Sequence, residues 1–265
     1  MPIHYDKSDH IVRITIDRYE KRNAIDLDHG HALARAWQEF NEDDDAWVAI
    51  VTGVKDTFCV GGDLNMLNTL VEKGRASGNR NEWTAVKDES GVRWTLKGYD
   101  IYKPIVAAVN GFCMAGGFEM LGATDIRIAS TTAVFQIPEP KRGLMAMGGT
   151  TARLPRQLSW VHAMELLLVA ERVDAQRALE LGLVNEVVEP EQLEDAALRW
   201  ARRITANAPL AVQATKRSAL TGFQKTLRDA FAAEEEIGAD NMMNEDAAEG
   251  SRAFLEKRAP VWRGQ

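Results

Sequence analysis

The stretch NGFCMAGGFEML, residues 110–121, places a Gly-Gly pair just ahead of Glu119 in otherwise small and apolar surroundings. An ionised carboxylate is costly to bury unpaired. A glutamate in such a setting is therefore either bonded by nearby donors or held with a raised pKa, ready to exchange a proton. A second acid, Glu139, follows in FQIPEPKRG. Two carboxyls that meet one substrate can act as acid and base in turn. Taken alone, each has a plainer reading: Glu119 stabilised by a helix N-terminus, and Glu139 capping the turn before Lys141 and Arg142.

The glycines offer a complementary chemistry. In FCVGGDL, residues 58–64, as in NGFCMAGGFEML, a strand-like run enters a glycine-rich turn and then a helix start. The backbone N–H groups of Gly62 and Gly116 are then left without helical partners. Two fixed N–H donors aimed at one carbonyl oxygen make an oxyanion hole, where each donor stabilises developing charge by about 3 to 4 kcal/mol. Glycine suits the position because a Cβ would block the approach. Glycine pairs also make ordinary turns. Their recurrence at two strand ends, each near an acid, narrows the gap between the two readings.

These groups need elements to hold them. HIVRITIDR alternates in the manner of a strand, and DLDHGHALARAWQEFNEDDD reads as a helix with acidic ends. AWVAIVTG and PIVAAVNG are short runs of Val, Ile and Ala that stop at glycine, as strands buried on both faces do. DIRIAS and AVFQI read as two more strands, and from Trp160 onward the pattern is helical. Strands alternating with helices and followed by a helical tail indicate an α/β core. The expected division is a core over residues 1–200 that carries the glycines and glutamates, and a helical region over residues 201–265. The segment from Thr69 to Gly91, rich in Gly, Ser and Asn, reads as a surface loop or lid.

Composition removes several classes. The net charge of -7 argues against a nucleic-acid binder, whose footprint is a basic face. No apolar run approaches the roughly 20 residues that span a bilayer, and MPIHYDKSDH has no signal-peptide pattern, so no membrane partner and a cytoplasmic location are expected. Cys59 and Cys113 lie outside any Cys-x-x-Cys arrangement and indicate neither a disulfide framework nor a zinc site. Cys59 reads as a small buried thiol, because no basic partner is evident for a nucleophile. The histidines His4, His10, His29, His31 and His162 show no metal-ligand spacing and read as surface residues.

The ordered set KRNAID, FCVGGDL, KPIVAAVNGFCMAGGFEML, FQIPEPKRGL, GGTTARLPR, ALELGLVNEVV and FLEKRAPVW resembles the enoyl-CoA hydratase/isomerase, or crotonase, family along nearly the whole chain. The resemblance implies a crotonase (ClpP/crotonase-like) spiral of β-β-α units with C-terminal helices that build trimers, commonly paired into hexamers. It implies an acyl-CoA substrate whose thioester oxygen is held by the N–H groups of Gly62 and Gly116. Glu119 and Glu139 both fall where family hydratases carry glutamates, which implies hydration of a 2-enoyl-CoA in fatty acid or lipid metabolism. Glu119 would activate the water and Glu139 would donate the proton to the α-carbon. No metal or redox cofactor is implied, since coenzyme A belongs to the substrate. Arg22 and Ala24 match the segment lining the adenine and phosphate region, and Phe254 and Lys257 match a tail that reaches CoA, often from a neighbouring subunit.

Two departures from the family pattern bear on substrate choice. GLMAMGGT is about one residue shorter than the common form and lacks its Pro-Gly, and the segment between Asp63 and Pro104 is longer than in short-chain hydratases and carries Trp83 and Trp94. The tryptophans either line an acyl pocket or pack the lid onto the body, with packing the favoured reading. The alternatives are another acyl-CoA enzyme of the family (an isomerase, dehydratase or hydrolase), a serine peptidase on the same spiral, or an inactive CoA-binding scaffold. The peptidase would need a serine in a Gly-x-Ser-x-Gly setting, which this chain lacks. Both glutamates being intact counts against the scaffold.

Overall fold

In a computed structural model that describes residues 3–78 and 92–265, the strands form two sheets. Strand β1 (Ile3–Ser8) runs antiparallel to β2 (Ile11–Ile16), and β2 leads into a parallel series with β3 (Val48–Gly53), β5 (Ile105–Val109), β7 (Ile126–Ser130) and β10 (Glu186–Val188). A smaller sheet contains β4 (Thr57–Cys59), β6 (Phe112–Met114) and β8 (Val134–Gln136) in parallel, closed by the antiparallel β9 (Val173–Asp174). The chain therefore places one strand in the large sheet, the next in the small sheet, and then a helix. It repeats this as β3-β4-α2 (Leu64–Ser77), β5-β6-α3 (Gly116–Leu121) and β7-β8-α4 (Thr150–Gln157). This is the β-β-α spiral.

The burial pattern follows from composition. β3 and β5 are buried along their full length, as their unbroken Val, Ile and Ala runs require. Helix α1 (Leu27–Glu42) is capped by Asp26, whose side chain accepts from the His29 N–H, and it buries Leu33, Ala36, Trp37 and Phe40. Those positions lie on one helical stripe, and each large apolar side chain so buried contributes about 1.5 to 3 kcal/mol. The opposite face of the large sheet packs on α7 (Leu193–Thr205), with Val48, Ile50, Val106 and Ala108 against Leu193, Ala196, Ala197 and Ala201.

Three elements go beyond or differ from the sequence reading. β1 is a strand although its residues are polar, because it is an edge strand with most of its side chains exposed. The segment expected to begin a loop at Thr69 continues α2 as far as Ser77 before Gly78 ends it in a left-handed turn, since Gly74 and Ser77 lower helix propensity without breaking it. The rest of that expected lid, including Trp83, lies outside the described residues. HAMELLLVA is a short helix, α5 (Trp160–Met164), that widens into one π-helical turn over Glu165–Val169.

After α6 (Ala175–Glu180) and α7, the chain ends in α8 (Pro209–Gly222), α9 (Leu227–Met242) and α10 (Glu245–Glu256). These helices are tied to the body by the Lys216 to Asp125 ion pair at 2.7 Å and by the indole N–H of Trp262, which donates to the Ala206 carbonyl at 2.8 Å. No helix among the described residues is long and apolar enough to cross a membrane.

Candidate active site

The three motifs meet because β4, β6 and β8 are adjacent and parallel, so their carboxyl ends lie side by side. β4 delivers Gly61 and Gly62, β6 delivers Ala115 and Gly116, and β8 delivers Pro138 and Glu139. All except Gly61 line one cavity of about 450 Å³, together with Glu119 and Gly148.

Backbone geometry frees both glycine N–H groups. Ile25 bridges Gly62 in parallel fashion, with the Ile25 N–H donating to the Gly61 carbonyl and the Asp63 N–H donating to the Ile25 carbonyl, each at 2.8 Å. Those bonds bracket Gly62 and leave its own N–H facing away from the bridge. Gly116 is the first residue of α3, where a helix supplies no acceptor. The turn before it is strained: Ala115 sits at φ 49° and ψ −125°, a region L-residues rarely adopt, and such strain gathers at functional turns. Gly116 is also pressed by Trp94, since a Cβ there would fall 2.5 Å from the indole ring. Trp94 is buried, accepts the Trp37 indole N–H on its carbonyl, and lines the cavity. Packing and pocket lining are thus one role for this side chain.

The two carboxyls stand in unlike surroundings. Glu119, 7% exposed, accepts from the Gly148 N–H at 2.5 Å and from the Thr150 N–H. Burial, reinforced by the charge of Glu139, pushes its pKa up to about 7 against the pull of those N–H groups and of Arg153. A Cβ at Gly148 would fall 2.3 Å from the carboxylate and displace it from this position. Glu139 opens a short 3-10 turn over Glu139–Arg142. Its Oε2 is buried with no partner, and burial raises its pKa against the opposing effects of its own N–H and Arg142. Burial raises the proton affinity of both carboxyls; Glu119 is held by two backbone N–H donors, whereas Glu139 keeps one oxygen without a partner among the described residues.

The remaining sequence candidates divide. Ala24 lines the cavity, but the neighbour that joins it there is Lys21, while the Arg22 guanidinium lies 5.6 Å from the Phe112 ring centroid. Phe254 is 83% exposed and Lys257 caps α10 in a left-handed turn, and neither lines the cavity of its own chain. His29 departs from the surface reading: its Nδ1 meets Asp26 at 2.5 Å and its Nε2 is buried. Asp26 and Asp63 share Arg18, at 2.9 and 3.0 Å, which ties the loop before α1 to the residue after Gly62. Burial pushes the Cys59 thiol up to about 12, which leaves it inert. The residues missed at the sequence level are the Glu119 donors and Arg153, all within GGTTARLPR or next to it. The paired glycines of that motif were the available signal.

Residues 6–265 match the enoyl-CoA hydratase/isomerase family. The chain belongs to that family. It is 36% identical over 265 residues, all of both chains, to the (E)-benzylidenesuccinyl-CoA hydratase of Thauera aromatica. It is 37% identical over 259 residues, 96% of this chain and 94% of the other, to the enoyl-CoA hydratase EchA19 of Mycobacterium tuberculosis. Among solved structures, an enoyl-CoA hydratase from Mycobacterium tuberculosis H37Rv superposes with a TM-score of 0.87 at 38% identity, covering 99% of each chain. The two-sheet spiral is accordingly the crotonase fold of the enoyl-CoA hydratase/isomerase family.

Proposed function

We propose that this enzyme adds water reversibly across the 2,3-double bond of a 2-enoyl-CoA thioester. The observation that carries the reading is that Glu119 and the partly buried Glu139 line one cavity together with Gly62 and Gly116. The thioester oxygen accepts from the Gly62 and Gly116 N–H groups. Glu119, ionised and fixed by Gly148 and Thr150, takes a proton from water as the water oxygen bonds to the β-carbon. The π electrons move to the thioester oxygen, where the two N–H groups stabilise the enolate. Glu139 then gives its proton to the α-carbon as the carbonyl re-forms. The sum is one water added, with the proton on Glu119 returning to Glu139 through solvent before the next cycle. The acid, the base and the two dipoles suffice for this sequence without a metal or redox group.

Assembly into homotrimers or homohexamers belongs to the same proposal. Phe223, Leu227, Phe231, Met242, Met243 and Phe254 are each more than half exposed on or at the ends of the C-terminal helices, and large exposed apolar side chains grouped on such elements suit an interface. A neighbouring copy would cover these side chains and bring Phe254 and Lys257 to the CoA of the adjoining cavity. Loss of enoyl-thioester absorbance across a panel of acyl-CoA substrates tests the reaction, with Glu119→Gln and Glu139→Gln as controls. Light scattering that gives a monomer mass at micromolar concentration would refute the assembly.

A further inference from the structure

Arg153, on α4, lies beside the cavity without lining it, and its guanidinium has no carboxylate partner among the described residues. It donates instead to four backbone carbonyls. Nη1 reaches Thr95 at 3.2 Å, Glu119 at 3.1 Å and Gly148 at 3.4 Å, and Nη2 reaches Leu96 at 2.9 Å. The acceptors belong to three separate stretches of chain. Glu119 is on α3, Gly148 is in the loop whose N–H holds the Glu119 carboxyl, and Thr95 lines the cavity. The Thr95 hydroxyl also donates to the Gly148 carbonyl at 3.1 Å, so that carbonyl is gripped from two sides.

A surface cation would not be built this way. A planar fork with five donors can fasten several carbonyls at once, which a lysine cannot. A full positive charge kept half-buried with only neutral acceptors is costly unless a nearby negative charge offsets it. Glu119 is that charge: burial lowers the Arg153 pKa and Glu119 raises it again.

We propose that Arg153 is a positioning residue for Glu119, fastening together the helix that carries the carboxyl, the glycine loop that donates to it, and the segment through Thr95 that lines the cavity. This rests on the reading that Glu119 exchanges a proton with the substrate water. Arg153 has two separable actions, one through its fork and one through its charge. The charged groups acting on Glu119 are Glu139, from the turn after β8, and Arg153, from α4; Arg142 acts on Glu139. Glu139 raises proton affinity at Glu119, and Arg153 opposes it.

The test compares the wild type with Arg153→Gln, which keeps an amide donor without charge, and Arg153→Lys, which keeps charge without the fork. Carboxyl-labelled glutamate is titrated by carbon NMR, with Glu119→Gln to assign the signal, and kcat/KM is followed against pH. The expected result is that the Glu119 titration and the acidic limb of kcat/KM both move upward in Arg153→Gln and stay in place in Arg153→Lys. A shift of about one unit, the scale of one nearby charge, gives Arg153→Gln roughly a fivefold loss at pH 7 that is regained by about pH 9. Arg153→Lys instead loses rate uniformly at every pH. Should Arg153→Gln fail to fold by circular dichroism, Arg153→Met serves as the neutral variant. A Glu119 signal that titrates unchanged in a folded neutral variant overturns the proposal, as does an equal shift in Arg153→Lys. Full hydratase activity in Glu119→Gln would overturn the catalytic reading of that residue alone, because the NMR titration still decides whether Arg153 governs its carboxyl.

Discussion

The carboxyl edge of the small sheet and the far end of the C-terminal helices contrast in how their functional residues are held. At the sheet edge, Glu119 is 7% exposed and bonded by two backbone N–H groups, Gly116 is roofed by Trp94, and Arg153 joins three strands of chain behind them. At the helical end, Phe254 and Leu255 are 83% and 80% exposed, and Lys257 projects from the last turn. Groups that must meet developing charge to within a fraction of an ångström are fixed by the chain's own backbone. On the proposed function, Phe254 and Lys257 would be ordered by the ligand's distant end or by a second copy. Substitutions at the first region should therefore act on kcat, and those at the second on KM and assembly.

The largest effect should come from Gly116. Both Ala and Pro bring a Cβ against Trp94, but only Pro removes the N–H, so the two are compared once circular dichroism shows each folded. Gly116→Pro should turn over roughly 100- to 1000-fold slower than Gly116→Ala, the scale of one oxyanion donor, with CoA affinity retained in both. Equal rates in the two folded variants would move the oxyanion hole away from Gly116. Next come Glu119→Gln and Glu139→Gln, each expected to lower kcat by about two orders of magnitude with binding largely kept. Near wild-type turnover in either would remove that residue from the mechanism.

Glu119→Gln should also change stability in a pH-dependent way. The folded-state pKa of Glu119, about 7, lies above its ordinary value of 4.5. Its protonated form therefore favours the folded chain, in full below about pH 4.5, and that contribution is lost as pH rises through about 7. Above pH 8 the variant should be the more stable protein by up to about 3 kcal/mol, and thermal melting should show the difference vanish near pH 4.5. A constant difference across that range would mean that the carboxyl is not desolvated. The smallest effect is expected at the helical end. Lys257→Ala should raise KM for the CoA thioester a few-fold, as loss of one exposed phosphate contact does, with kcat unchanged and the effect shrinking at high salt. If kcat falls instead, the contrast between the two regions fails.

The amino-acid sequence by itself pointed to most of the elements and to the candidate reacting groups. Unbroken Val, Ile and Ala runs at β3 and β5 announce strands buried on both faces, and the stripe of Leu33, Trp37 and Phe40 announces a helix on the core, because burial periodicity is local. The recurrence of a glycine pair after a short strand, with an acid nearby, likewise marked Gly62, Gly116, Glu119 and Glu139. What only the tertiary structure decided depends on contacts between residues far apart along the chain. β1 is a strand through its pairing with β2, not through its own polar residues. Lys21 and not Arg22 meets the cavity, because the turn at Tyr19–Lys21 ends with Arg22 in a left-handed conformation. The distinct electrostatics of Glu119 and Glu139 come from Gly148, Thr150 and Arg153 in one case and from an unpartnered oxygen in the other. A carboxyl's proton affinity is set by the dipoles and charges around it in space, and for Glu119 those arrive on the next turn of the spiral.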